Sequence, residues 1–141
     1  MYKRQINIAR LIPQSFYYLS GYAQLLKSGV DKEATFVVPS GNLGNVCAGM
    51  IANKMGMPVK NFVIAHNQNN AVTRYLETKE YEIRETIPTI SNAMDVGSPN
   101  NFPRALELFD NSWEKISKKV FSASFNAVSY THLTLPTICS V

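Results

Sequence analysis

The residue types that could do chemistry stand together in one short stretch, Pro39-Ser40-Gly41-Asn42-Leu43-Gly44-Asn45. It follows an apolar, β-branched run, Ala34-Thr35-Phe36-Val37-Val38, and opens into a helix-like segment over 46–55. The first N–H groups of a helix have no intrahelical partner, the helix dipole adds partial positive charge, and glycines let an anion reach the bare backbone. Strand, glycine turn and helix in that order predict a cradle for one phosphate, made by Ser40, Gly41, Asn42, Leu43, Gly44 and Asn45. A connecting turn that binds nothing has the same composition and stays open as the alternative. No lysine lies in the turn and no Lys-Ser/Thr pair follows its second glycine, which argues against a nucleoside triphosphate loop. The dinucleotide fingerprint fails too, because the strand-like run over 61–64 ends in Ala65-His66 where an acidic ribose partner would stand.

Other reactive side chains are sparse. His66 falls at the carboxyl end of a strand-like run, on the side where open α/β sheets bind ligands, yet a hydrogen-bonded loop residue is the simpler reading than a ligand or base. Cys47 reads as a small core residue, and together with Cys139 it makes two cysteines without metal-site or disulfide spacing. No metal site is expected.

The elements that must position the turn follow from periodicity. Apolar residues recur at Ile8, Leu11, Ile12, Phe16, Leu19, Tyr22, Ala23 and Leu26, which predicts a long helix buried along a wide face. Asn7 is its candidate N-cap and Gly29 its candidate C-cap, and Pro13 predicts a kink or an irregular first turn. Tyr17, Tyr18 and Tyr22 read as packing residues. The run over 61–65 is a second buried strand, so strand, helix and strand form a right-handed βαβ crossover with parallel strands. A short helix is expected over 71–76, a further edge strand over 86–90 containing Pro88, and one helix from Phe102 through Ile116, capped by Ser98, Asn100 or Asn101. The fold class is therefore α/β, a partial parallel sheet with flanking helices. With so few strands it looks like part of a larger sheet.

A chain of 141 residues with 45% hydrophobic content holds one domain with a core. Its net charge of +4 is scattered, without the basic block or aromatic-basic alternation that marks a nucleic-acid surface. No apolar run approaches the roughly 18 residues of a membrane span, and the first residues lack a signal-peptide core. A soluble cytoplasmic protein with no nucleic-acid or membrane partner is expected.

Three blocks resemble threonine synthase, a fold-type II enzyme that uses pyridoxal phosphate and shares the tryptophan synthase β-like fold. They are Ile6-Asn7-Ile8-Ala9-Arg10-Leu11 with Gln14 and Tyr17-Tyr18; the glycine turn from Val38 to Asn45; and Ser91-Asn92-Ala93-Met94-Asp95-Val96 with Pro99-Asn100-Asn101 and Pro103-Arg104. The resemblance covers 6–109. It implies conversion of O-phospho-L-homoserine and water to L-threonine and phosphate, with pyridoxal 5'-phosphate as cofactor. It also implies that the amides of 40–45 hold the cofactor phosphate, assisted by Asn42 and Asn45; in a complete enzyme built around this segment, Gly41→Val should then weaken the cofactor by crowding the anion and disfavouring any positive φ. Asn7 and Arg10 would then contact substrate, Arg10 through its planar donors on the substrate phosphate, with a structural salt bridge as the alternative. Two other functions remain: a related lyase acting by elimination on phosphohomoserine, serine or threonine, and a phosphate-binding module without catalysis. The oligomeric state is left open.

The family's cofactor-bearing lysine lies in a His-Gly-Pro-Thr…Phe-Lys-Asp segment that precedes the matched region. No lysine here, Lys54 and Lys60 included, has that setting, so the chain is expected to carry no catalytic residue of the family and to be inactive alone. Residues 1–120 read as a middle fragment of the catalytic region and 121–141 as a tail of doubtful membership. Residues 128–141, Val128-Ser129-Tyr130-Thr131-His132-Leu133 onward, resemble the in-frame translation of a sequencing adapter, so His132 and Cys139 should carry no function.

Overall fold

The structure, a computed structural model, describes residues 8–125. The candidate cap Asn7, along with His132, Cys139 and the whole adapter-like stretch, lies outside the described residues.

A 3-10 turn, Ile8–Arg10, leads into helix α1, Leu11–Lys27. Pro13 sits in the first α-helical turn, where its missing N–H costs nothing, and the irregular entry expected from it is this 3-10 turn. At the other end Ser28 is the C-cap and Gly29 follows at φ 80°, with Gly29 N bonded to Leu26 O at 3.0 Å and Val30 N to Leu25 O at 3.1 Å. The buried face is narrower than the periodicity implied. It consists of Leu11, Ser15, Tyr18 and Tyr22, whereas Ile12, Phe16, Tyr17 and Leu26 are exposed.

Strand β1, Ala34–Pro39, helix α2, Gly44–Lys54, and strand β2, Val59–His66, form the expected crossover, and β1 pairs with β2 in parallel. Helix α3, Ala71–Thr78, follows. The strand expected over 86–90 is absent. That segment is irregular because its amides bond to side chains instead of a ladder: Ile87 N donates to Asn69 Oδ1 at 2.8 Å and Thr89 N to Asp95 Oδ2 at 2.9 Å. A second 3-10 turn, Asn92–Met94, leads toward helix α4, Phe102–Leu108. The single helix expected from Phe102 to Ile116 is broken. Asp110 and Asn111 take left-handed φ of 57° and 53°, and Ser112 then caps helix α5, Trp113–Lys119, by accepting from Lys115 N. Strand β3, Val120–Ser124, adds in parallel to the other edge of β2.

The strand order β1-β2-β3 steps in one direction. Right-handed crossovers that step one way place their helices on one side of the sheet. The register agrees. Phe36, Phe62 and Val120 form one row and Val38, Ile64 and Ser122 the next, and these rows meet the helices: Tyr18 of α1 lies edge-on to Phe36 and Phe62, and Thr73 of α3 bonds Ser122 at 2.7 Å. On the opposite face Val37, Val63 and Phe121 lie in register across all three strands, with Val37 66% and Phe121 49% exposed. An apolar row on a parallel sheet belongs under a second layer. Both the glycine turn after β1 and His66 at the end of β2 stand at the carboxyl edge of this sheet.

Candidate functional site

The ladder runs one bond past β1, Ser40 N donating to Ala65 O at 3.0 Å, before the chain turns. Ser40 Oγ then accepts from Leu43 N at 3.1 Å, closing the turn with a side chain. Leu43, at φ 60° and ψ 9°, caps α2, and the first bond into the helix is Cys47 N to Leu43 O at 3.0 Å. The amides of Gly44, Asn45 and Val46 come before it and have no partner among the described residues. Three free N–H donors at the positive end of an eleven-residue helix make an anion cradle.

At Gly41 the close neighbour is protein. Positive φ in the turn belongs to Leu43, and Gly41 does not share it. A Cβ on Gly41 would lie 2.7 Å from the carbonyl oxygen and 2.9 Å from the Cα of Met94. Gly41 therefore admits a neighbouring backbone segment, so the crowding expected of Gly41→Val would fall on Met94 before it fell on an anion.

The two asparagines of the turn are also engaged. Asn42 Oδ1 accepts from Asn100 N at 2.6 Å and its backbone oxygen from Asn101 Nδ2 at 2.8 Å. Asn101 is fully buried and stands at the N-cap position of α4 without capping it, its Oδ1 instead accepting from Arg104 at 2.5 Å. Asn45 Oδ1 accepts from the Tyr18 hydroxyl, leaving the Asn45 Nδ2 hydrogens for another acceptor. Ser40 keeps its own hydroxyl proton to donate. The structure thus gathers 40–45 in one turn at the N-terminus of α2, with the Asn42 side chain engaged by Asn100. Arg10, exposed at the end of the 3-10 turn, makes neither the ion pair offered as its alternative nor a hydrogen bond to the cradle among the described residues.

His66 differs from its expected role. It is the last residue of β2, 1% exposed, and neither imidazole nitrogen has a hydrogen-bond partner among the described residues. Burial disfavours the charged ring and pulls its pKa down to about 4; the nearby Ser40 backbone pulls weakly upward without making a bond of normal geometry. Cys47 is the core residue expected. Burial pushes its thiol up to about 12 against a smaller lowering by Arg104, so it is inert as a nucleophile.

Tyr18, Met94 and Asn101 support the turn and were not singled out for that role by sequence reasoning. Only Tyr18 gave a signal, since a tyrosine on a buried helical face needs a partner for its hydroxyl.

No family model matches the chain. The threonine synthase of Haemophilus influenzae is 48% identical over 110 residues, which is 77% of this chain and 26% of that enzyme. Among solved structures, threonine synthase from Escherichia coli aligns with a TM-score of 0.79 at 40% identity, over 90% of this chain and 29% of that one. Threonine synthase from Brucella melitensis with PLP bound aligns at 0.75 and 29% identity, over 87% and 31%. Over most of its length, then, the chain is homologous to a stretch of threonine synthase and shares its fold, and it spans between a quarter and a third of the length of these relatives.

Proposed function

We propose that a chain homologous to threonine synthase works as part of such an enzyme, converting O-phospho-L-homoserine and water to L-threonine and phosphate with pyridoxal 5'-phosphate. The observation that carries this is the set of amides at Gly44, Asn45 and Val46, unpartnered among the described residues, in a turn at the carboxyl edge of a parallel sheet. A phosphate monoester fits them: its oxygens accept from backbone N–H groups and its charge is favoured by the helix dipole. Within this reading Asn45 Nδ2 and the Ser40 hydroxyl donate to the same phosphate, while Asn42, committed to Asn100 and Asn101, sets the shape of the turn. When bound, the cofactor supplies an electron sink for the proton transfers and the elimination. The part of this chain is to fix the phosphate end, so that the reacting end is held at one place above the sheet edge.

Arg10 and Asn7 are assigned to the substrate phosphate, with Arg10 contributing a planar pair of donors. Among the described residues no helix is long and apolar enough to cross a membrane, which accords with a cytoplasmic enzyme acting on a small molecule. The test is to replace the matching stretch of the Escherichia coli enzyme with residues 6–124 of this chain and analyse the products made from O-phospho-L-homoserine. Threonine and inorganic phosphate support the proposal. A 2-oxo acid would transfer it to a related elimination lyase, and a folded hybrid that retains no cofactor would end it.

A further inference from the structure

We propose that Asp95 is a positioning residue for the cradle: it locks residues 86–101, as a strap, onto the carboxyl end of β2, and the strap holds the glycine turn from two sides. The idea rests on the reading of 40–45 as a phosphate site. Asp95 Oδ1 accepts from Asn67 Nδ2 at 2.7 Å and from Thr89 Oγ1 at 2.7 Å, and its Oδ2 accepts from Thr89 N at 2.9 Å. Asn67, the residue after β2, is 2% exposed; its Nδ2 also reaches Ser91 Oγ at 3.2 Å, and its Oδ1 accepts from Asn69 N at 3.0 Å. Asn69 in turn donates to Ile87 O at 2.9 Å and accepts from Ile87 N at 2.8 Å. A segment without a ladder is thereby fixed by side chains rooted at the sheet edge.

Two parts of the strap, its middle and its C-terminal end, meet the turn. One residue before Asp95, the Met94 backbone fills the space where a Gly41 Cβ would stand. Five and six residues after Asp95, Asn100 and Asn101 bind the side chain and carbonyl of Asn42. A carboxylate suits the node because both of its oxygens face donors. In an amide one of those oxygens becomes an NH₂, set against either the Thr89 N–H or the Asn67 Nδ2 hydrogens.

The test uses the full chain and inorganic phosphate, followed in amide proton–nitrogen spectra. Phosphate should shift the Gly44, Asn45 and Val46 amides saturably, and Asp95→Asn should weaken that binding by about tenfold, as expected for losing charge-assisted bonds, while Phe62 and Ile64 of β2 stay unchanged. The reciprocal pair Asn67→Asp with Asp95→Asn exchanges donor and acceptor and should restore the affinity, which a merely structural role would not require. Undiminished phosphate affinity in Asp95→Asn, or a reciprocal pair no better than the single variant, overturns the proposal. If phosphate shifts nothing in the parent chain, the cradle reading fails by itself. Amide exchange then decides the positioning role: it should quicken by about tenfold at Ser40 and Leu43 and hold at Ile64, and unchanged exchange at Ser40 and Leu43 overturns it. Should Asp95→Asn not fold, Thr89→Val removes one bond to the same carboxylate, keeps the backbone N–H, and is judged by the same readouts.

Discussion

The Tyr18 hydroxyl donates to Asn45 Oδ1 across 27 positions of sequence, tying the middle of α1 to the first turn of α2. Its ring is held edge-on to Phe36 at 5.0 Å and to Phe62 at 6.4 Å, and burial pushes its pKa up to about 12, with a smaller rise from Cys47. Tyr18→Phe keeps the ring contacts and deletes one bond. It should cost about 1 kcal/mol in urea unfolding. It should also release the Asn45 side chain and weaken phosphate binding at the cradle. A variant as stable as the parent would show that the bond contributes nothing net.

Gly41→Ala places a methyl against backbone atoms of Met94, 2.7 Å from its oxygen, and backbone cannot swing aside as a side chain can. The strap must move, at a cost of about 1 to 3 kcal/mol by analogy with overpacked sites. Because the clash is with protein, the loss should appear in thermal unfolding without any phosphate present. Full stability without phosphate and a defect only in its presence would restore the simpler picture of a glycine cleared for the anion.

Leu43 combines a left-handed backbone with a side chain 1% exposed. Truncating a buried leucine costs about 2 to 5 kcal/mol, so both Leu43→Ala and Leu43→Gly should destabilise. Their order should be the reverse of that in a helix interior. Glycine adopts this φ freely and alanine does not, which should leave Leu43→Gly ahead by up to about 1 kcal/mol. Paired urea titrations settle the order, and an alanine variant that is the more stable of the two would mean that the turn is not held at this φ in solution.

The crossover β1–α2–β2 was legible because its signals are local: apolar runs of strand length, and glycine and proline at the joints. The strand expected over 86–90 rests on a β-branched run whose amides are taken by Asn69 and Asp95, partners that only the folded chain brings near. The break between α4 and α5 did have a local signal, Asp110-Asn111 followed by a capping serine, but apolar spacing continues through it and masks it. The turn 40–45 is readable because its serine, glycines and asparagines are consecutive between a strand and a helix. Its supports are not, since the meeting of Tyr18 with Asn45, or of Met94 with Gly41, depends on how α1 and the strap cross the sheet edge. His66 escapes sequence reasoning for the same reason: nothing in its neighbours along the chain says that β2 extends to include it and buries it.

That burial gives stability a pH dependence of definite sign. The unfolded imidazole takes up a proton near its ordinary value of 6.5, and the folded one only near about 4. Between those values the unfolded chain binds more protons, so stability falls as pH drops through the window, and the contribution is fully present above it. At pH 5 the loss from this one group is about 2 kcal/mol. His66→Leu removes the titrating ring. Since neither nitrogen has a partner to lose among the described residues, the variant should be at least as stable as the parent at pH 7. The difference between variant and parent should then widen in the variant's favour between pH 6.5 and 5, a range in which His66 is the histidine among the described residues that titrates. Parallel pH profiles from urea unfolding of the two proteins would mean that His66 is solvated or paired in solution and would place it outside the buried edge of β2.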